Sequence, residues 1–131
     1  MTNINKTVAL LVGIVFILIG ILGYIPGLVP NGALLGIFDV NALHSAVHIL
    51  FGVLGVAGAL TGTARLYNRV VGVVYLLLAV LGFIPALFFN GLLLGLVSIN
   101  TADNLLHLVI GAVLVIVGFA IQTSRSAAAQ A

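Results

Sequence analysis

Four continuous apolar runs occupy most of the 131 residues, and they constrain the fold more than any other feature of the sequence. The runs cover residues 7–25, 42–61, 66–84 and 101–122. A helix rises about 1.5 Å per residue, so each run is long enough to cross the roughly 30 Å of hydrocarbon in a bilayer. Strands closed into a barrel would alternate apolar and polar positions, which these runs do not do. The sequence therefore predicts an all-α membrane protein with four transmembrane helices.

The composition agrees with this prediction and excludes several classes of function. Charged side chains make up 5% of the sequence, whereas a soluble domain carries roughly 25%. The chain has no Cys, which excludes disulfides and thiolate metal sites. It has no Lys/Arg cluster for nucleic acid, and it contains no phosphate loop, Ser-His-Asp set or paired carboxylates. We expect a protein that is not an enzyme and whose first partner is the lipid bilayer.

The few charged residues give an orientation. All cations fall on one side of the predicted topology: Lys6, Arg65, Arg69 and Arg125. The opposite side carries only Asp39 and Asp103. The positive-inside rule therefore places both termini in the cytoplasm, in a bacterial inner membrane or a thylakoid-type membrane. The small, polar segment 123–131 is expected to be a disordered tail of a single four-helix domain.

Many residues recur at a fixed offset of 59 positions, the difference between Pro26 and Pro85. His48 recurs as His107 and Asn41 as Asn100 at the same offset. Two tandem repeat units, about 7–62 and 66–122, are predicted, each of them a helical hairpin. Both hairpins enter the membrane from the same side, so a pseudo-two-fold axis along the membrane normal relates them.

The two outer connections, 26–40 and 85–99, are nearly as apolar as the spans. Each contains Asn-Gly, at 31–32 and 90–91, a pair that favours a turn with positive φ. We expect each connection to form a short turn or helix that lies at the outer interface or dips between the spans. Tyr67 is expected at the inner interface, as part of an aromatic belt.

His44 and His48 lie one helical turn apart, as do Asp103 and His107 in the second unit. If spans two and four face each other, three imidazoles and a carboxylate converge. His44, His48, Asp103 and His107 would suit Zn²⁺ or another divalent metal. His48 and His107 alone would suit a haem as axial ligands, or a chlorophyll-type pigment each. A proton relay through these His and Asp side chains is a third alternative.

A purely structural explanation of the same residues is favoured over these. Asn41 and Asn100 are suitable N-caps, and the Asp103 carboxylate suits a helix N-terminus. Histidines near the start of a span can donate to loop carbonyls or bond polar side chains of neighbouring helices.

Glycines recur at spacings of three, four or seven residues along three of the spans, which is typical of close helix packing. The predicted packing positions are Gly13, Gly20, Gly52, Gly55, Gly58, Gly62, Gly111 and Gly118. We expect contacts within the bundle, with docking onto a helix of another subunit as the alternative.

Several segments resemble one known family. They include Leu-His-Ser-Ala-Val-His (43–48), Ala-Asp-Asn-Leu-Leu-His (102–107) and Leu-Gly-Phe-Ile-Pro (81–85). Together they resemble the small bacterial four-span membrane family numbered 4383 among the domains of unknown function. The resemblance extends from about residue 6 to residue 119. It implies the four-span topology and brings no activity with it.

Three functions remain open from the sequence. The favoured one is a non-enzymatic accessory or scaffold subunit that packs against other membrane proteins or against itself. The second is a membrane protein that binds haem, pigment or metal through the His44, His48, Asp103 and His107 positions. The third is a small transporter or channel, formed as an oligomer.

Overall fold

The computed structural model of the chain describes residues 3–121 and contains four long helices. These are α1 (Ile4–Leu22), α2 (Ala42–Thr61), α3 (Ala64–Gly82) and α4 (Thr101–Val115), the last continued by one π-helical turn, Ile116–Ala120. Each helix, with its π turn in the case of α4, is long and apolar enough to span a membrane. The predicted all-α membrane fold with four transmembrane helices is confirmed.

The helix boundaries differ from the predicted spans by a few residues. Helix α1 begins three residues before the predicted span, because the side chain of Asn3 accepts from the backbone N–H of Lys6 at 3.3 Å and caps the helix. It ends three residues earlier, at Leu22, before Pro26. The predicted end of span four at residue 122, Arg125 and the predicted tail 123–131 lie outside the described residues.

The helices pair as two hairpins, α1 along α2 and α3 along α4. Glycine pairs set the closest approach in both. A Cβ added to Gly13 would lie 2.7 Å from the carbonyl oxygen of Gly52. In the second hairpin a Cβ added to Gly111 would lie 3.0 Å from the carbonyl oxygen of Gly72. Gly72 was not among the predicted packing positions, although it lies 59 positions after Gly13.

Most of the other predicted packing glycines also contact neighbouring helices of the same chain. An added Cβ would meet the Ser45 carbonyl at Gly20, the Ala9 carbonyl at Gly55 and the Arg69 backbone nitrogen at Gly118, all within 2.9 Å. Gly58 is more loosely packed, with the nearest atom, Cβ of Tyr67, at 3.4 Å. The expected packing within the bundle therefore uses these glycines.

Gly62 does not take part in this packing. It has φ 82° as the left-handed C-cap of α2, and nothing lies within 4 Å of an added Cβ. Glycine is needed here for the backbone conformation, since a side chain disfavours positive φ. Only Gly62 and Thr63 separate α2 from α3.

Each outer connection, expected as a short turn or helix, begins with a 3₁₀ turn and continues as a small β-ribbon, which was not predicted. In the first ribbon β1 (Ala33–Leu34) pairs antiparallel with β2 (Phe38–Asp39). In the second, β3 (Phe88–Phe89) pairs antiparallel with β4 (Leu92–Leu93). The predicted positive φ of both Asn-Gly pairs is confirmed. Backbone pairing satisfies the polar groups of this apolar segment, which a lipid environment would not do.

The ribbons close one end of the bundle, called here the ribbon end. Leu34 and Leu93 point from the two ribbons into the protein and are 5% and 1% exposed. The opposite end, called the turn end, holds the start of α1, the Gly62–Thr63 turn and the end of α4. Tyr67 lies in the core near the turn end, where its hydroxyl donates to the Phe51 carbonyl at 2.8 Å. Its predicted interface position is therefore wrong.

Candidate metal centre

The first turns of α2 and α4 position the histidines. The side chain of Asn41 accepts from the backbone N–H of His44 at 2.9 Å, and that of Asn100 accepts from the N–H of Asp103 at 3.0 Å. Both predicted N-caps are thus confirmed. Each helix begins one residue after its cap, so His48 and His107 are both the seventh residue of their helices. They lie at equivalent depth below the ribbon end.

His44, His48 and His107 form one buried cluster, with exposed fractions of 4%, 6% and 2%. The ring centroids lie 4.6 Å apart for His44–His48, 5.8 Å for His44–His107 and 6.2 Å for His48–His107. One nitrogen from each ring can be chosen so that all three lie within 4.8 Å of one another. Two of the rings belong to the first hairpin and one to the second, so the cluster exists only when the hairpins pack together.

Hydrogen bonds determine which nitrogen of His44 carries the proton. Its Nδ1 lies 3.0 Å from the carbonyl oxygen of Asp39 and 2.9 Å from that of Ser98. Carbonyl oxygens only accept, so Nδ1 must be protonated and donate. The other nitrogen, Nε2, then carries a lone pair. Metal-binding histidines are oriented in the same manner, by donating their second ring nitrogen to a carbonyl.

The inward-facing nitrogens of the cluster have no hydrogen-bond partner among the described residues. This holds for Nε2 of His44, Nε2 of His48 and both nitrogens of His107, all of them buried. Buried polar atoms are nearly always satisfied, and an orphaned group requires an explanation such as a bound ion or water. The lone pair of His44 points into a space that offers it no donor from this part of the chain.

Asp103 is buried near the cluster but has a different role from the three imidazoles. Its Oδ2 accepts from the backbone N–H of Asn100 at 3.0 Å, which together with the Asn100 cap forms a reciprocal capping box. It lines a cavity of about 40 Å³ together with His48. Of the four residues proposed from the sequence, the three histidines come together in one cluster. The Asp103 carboxylate instead caps the N-terminus of α4.

Two aromatic residues, which were not predicted as part of the site, pack against the cluster. Phe16 stacks on His48 with centroids 5.3 Å apart, and Tyr75 meets His107 edge-on at 5.0 Å. Phe16 and Tyr75 correspond at the offset of the repeat, as do the two histidines that they contact. The shared offset of 59 positions could have indicated this contact from the sequence, since each aromatic residue packs against the histidine of its own hairpin.

An apolar cavity of about 220 Å³ adjoins the histidines on the side of the second ribbon. Leu78, Leu93 and Ile99 contribute to its wall beside the three rings and Tyr75. Leu93 from the ribbon is 1% exposed and forms part of this wall. Apolar surroundings strengthen the interaction of a cation with its ligands.

The space between His48 and His107 does not accommodate a tetrapyrrole. His44 lies within 5.8 Å of both rings and Tyr75 within 6.5 Å, measured between centroids. A haem between two axial histidines would need its plane to pass through these side chains. The site fits a single ion better than a macrocycle.

A family model described as "Domain of unknown function (DUF4383)" matches residues 6–120. The match includes both ribbons and all three histidines. Comparison with curated proteins and with solved structures gave no match.

Proposed function

The chain belongs to the DUF4383 family, and we propose that it is an integral membrane protein that binds one divalent transition-metal ion through His44, His48 and His107. The observation that carries this proposal is the lone pair on Nε2 of His44. That atom is buried and without a partner among the described residues, and the tautomer of the neutral ring follows from two carbonyl contacts. The two further imidazoles of the cluster also carry buried, unpartnered nitrogens.

Zn²⁺ is the ion that the donor set favours. Imidazole is a suitable ligand for zinc, and three histidines are a known zinc-binding set that leaves a fourth position open. Copper and nickel also accept imidazole, whereas Mg²⁺ and Ca²⁺ prefer oxygen ligands. The proposed role is binding, and no reaction is assigned to the site.

An accessory or scaffold role is the second proposal, and it is compatible with a metal site. It rests on the four helices and two ribbons that account for nearly all of residues 3–121 and leave no separate domain in that part of the chain. The glycines that motivated docking to a partner helix are used mainly for contacts between helices of this chain. Self-association or binding to another subunit would therefore use the lipid-facing apolar side chains.

Transport and proton relay receive less support. The charged residues and the histidines of the described chain lie toward the two ends of the bundle. The core between them is mainly apolar and also contains Tyr67 and Tyr75. Tyr67 donates to the Phe51 carbonyl, and no hydrogen-bonded chain links the two ends within residues 3–121. A pore would therefore require several copies of the chain.

We further propose that the two hairpins derive from one duplicated unit, and that the turn end faces the cytoplasm of a bacterial inner or thylakoid-type membrane. Lys6, Arg65 and Arg69 all lie at that end, which is the arrangement that the positive-inside rule favours.

Co²⁺ is a suitable probe of the site, because tetrahedral Co²⁺ absorbs visible light and zinc does not. The full chain would be purified in mild detergent, treated with a chelator and titrated with Co²⁺. We expect one equivalent to bind with a visible absorption band. His48→Gln and His107→Gln should each weaken binding by at least about tenfold, since even partners of the ligands contribute 10- to 100-fold. Tyr75→Phe is the matched control, because it touches the same rings and should bind as the wild type does.

Absence of Co²⁺ uptake by the wild type, or uptake unchanged in both histidine variants, would overturn the metal proposal. A haem or chlorophyll band in protein purified from its native host, lost in His48→Leu or His107→Leu, would replace the ion by a tetrapyrrole. If His48→Leu/His107→Leu assembles and retains its membrane partners, the accessory role would be supported independently of the metal.

A further inference from the structure

The turn end contains a second site, in which two arginines share one backbone carbonyl. Arg65 and Arg69 lie one turn apart on the same face of α3 and are half-buried. Nε of Arg65 donates to the carbonyl oxygen of Gly118 at 3.1 Å, and Nε of Arg69 donates to the same atom at 2.7 Å. Gly118 lies in the π-helical turn at the end of α4, where the last carbonyls have no partner within the helix.

This arrangement brings two positive charges together without a neutralising acid. The sequence has only two acidic side chains, Asp39 and Asp103, and both lie at the ribbon end. The C-terminus of α4 contributes only the equivalent of about half a negative charge through its dipole. A net positive charge therefore remains at the pair, and a bound anion would stabilise it.

The terminal guanidinium groups are available for such an anion. Each guanidinium has five N–H donors in a planar fork, and the Gly118 carbonyl takes only the Nε donor of each. Within residues 3–121, the Nη atoms make no hydrogen bond. The geometry of this fork matches phosphate, since two parallel N–H···O bonds can form to it.

An apolar groove begins beside Arg69. Val70, Val73, Val74 and Phe119 line it together with that arginine, and its volume is about 330 Å³. The guanidinium of Arg69 lies over the ring of Phe119, with Cζ 4.8 Å from the centroid. Val70, Val73 and Phe119 are about half exposed and face away from the bundle. The groove therefore runs from the charged pair along a membrane-spanning helix, which a free inorganic anion would not use.

We propose that Arg65 and Arg69 bind the phosphate of an anionic phospholipid whose acyl chain lies along the Val70–Val73–Phe119 groove. Basic pockets between transmembrane helices recognise lipid headgroups in this manner. The π-helical turn positions the two arginines, because the Gly118 carbonyl accepts a hydrogen bond from each and holds both guanidinium groups on one side of α3. The site is independent of the histidine cluster at the opposite end.

Native mass spectrometry of the full chain in detergent would test the proposal by counting retained lipids. Phosphatidylglycerol and phosphatidylcholine are offered at equal concentration. We expect retention of phosphatidylglycerol over phosphatidylcholine by the wild type, and a loss of about tenfold or more in Arg65→Gln/Arg69→Gln. Glutamine keeps an N–H donor for the Gly118 carbonyl, and it removes the charge together with the Nη donors that would bind the phosphate. Lys6→Gln removes a cation from the same end outside the pair, and it should retain the lipid.

Three outcomes of the lipid comparison would overturn the proposal, and displacement by inorganic phosphate would be a fourth. The first is equal retention of both lipids by the wild type, a result that needs no variant. The second is a double arginine variant that has wild-type helix content and retains as much phosphatidylglycerol as the wild type. The third is a Lys6→Gln protein that loses as much lipid as the double variant. Inorganic phosphate distinguishes the two sources of the anion. If phosphate displaces phosphatidylglycerol at equal concentration, the site recognises a free anion and the lipid assignment is wrong.

Discussion

Asn41 and Asn100 each donate a hydrogen bond to the outer connection of the opposite hairpin. The side-chain amide of Asn41 donates to the carbonyl of Leu96 at 2.9 Å, and that of Asn100 donates to the carbonyl of Ile37 at 2.8 Å. Leu96 and Ile37 lie in opposite connections and correspond at the same offset as the two asparagines. Each residue thus caps its own helix with its oxygen and holds the other half with its nitrogen.

Asn41→Ala and Asn100→Ala should each destabilise the protein more than the loss of a cap alone. An N-cap is worth about 1 kcal/mol, and a further hydrogen bond about 1 kcal/mol. We expect each variant to lower the free energy of unfolding by about 2 kcal/mol. Asn3→Ala is the control, since Asn3 caps α1 and makes no bond to the other half, and it should cost about 1 kcal/mol. Equal losses in all three variants, measured by unfolding in detergent, would contradict a role in joining the halves.

Gly52→Ala should separate α1 from α2. The added Cβ would lie 2.7 Å from the carbonyl oxygen of Gly13 and 2.7 Å from the backbone nitrogen of Ile17, so the backbones must move apart. Overpacking of this kind costs about 1–3 kcal/mol. Gly27→Ala has nothing within 4 Å of its new Cβ and should stay within about 0.5 kcal/mol of the wild type. Thermal unfolding in detergent measures both, and a Gly52→Ala protein as stable as Gly27→Ala would refute the tight contact.

Asp103→Asn should leave metal binding intact. The asparagine oxygen can still accept from the Asn100 N–H, so the cap survives. The loss of a negative charge at the helix N-terminus should cost about 0.3–1 kcal/mol. Titration with Co²⁺ should give the wild-type affinity within about twofold, because the carboxylate is not a ligand in the proposed site. An affinity that falls as far as in His107→Gln would show that Asp103 moves to bind the ion.

A bound ion should stabilise the folded protein, and acid should reverse the effect. Binding to the folded state alone adds about 2.7 kcal/mol at a free ion concentration of 100 times Kd. Protons compete with the metal for the imidazole lone pairs, so the affinity should fall as the pH falls. Thermal unfolding with and without Zn²⁺ over a pH series measures both effects. His48→Gln should show a smaller effect at the same zinc concentration, about 1.4 kcal/mol or less if its Kd rises tenfold or more. A zinc effect of equal size in that variant would place the ion elsewhere.

Asn68→Ala should leave the buried Oδ1 of Asn5 without its donor at the turn end, while Nδ2 of Asn5 still donates to the Ile121 carbonyl at 3.0 Å. The Asn68 side chain donates to the carbonyl oxygen and to Oδ1 of Asn5, at 3.1 and 3.0 Å. Both residues are fully buried, and removal of one partner there costs about 1–3 kcal/mol. In a double-mutant cycle with Asn5→Ala, the two losses should not add, since the second removal finds its partner already absent. Additive losses would show that the pair does not interact.

The helices and the histidine cluster could be predicted from the sequence, because both follow from local or periodic patterns. Apolar runs of membrane length leave a helix as the only solution, and the i, i+4 spacing places His44 and His48 on one face. The matching position of His107 follows from the offset that relates the halves. Both signals are patterns that can be recognised in a single sequence without knowledge of tertiary contacts.

The ribbons and the turn-end contacts depend on tertiary structure and were not predicted. Leu35 and Leu94 adopt φ of 55° and 53°, which a leucine disfavours and which no local pattern indicates. Arg65 was interpreted as an orientation signal only, because its contact with Gly118 joins residues far apart in the chain. The hydrogen bonds from the Asn68 side chain to Asn5 likewise join residues far apart in the chain.

The two-residue connection at Gly62 and Thr63 has a consequence for how the halves associate. It keeps the hairpins at a very high effective concentration of one another, so a transient opening of the histidine cluster is followed by rapid reclosure. Folding of the bundle is therefore independent of how much protein the membrane contains. A chain cut at this turn would turn that intramolecular step into a bimolecular association, and the three-histidine cluster would then assemble only at sufficient density of both pieces in the bilayer.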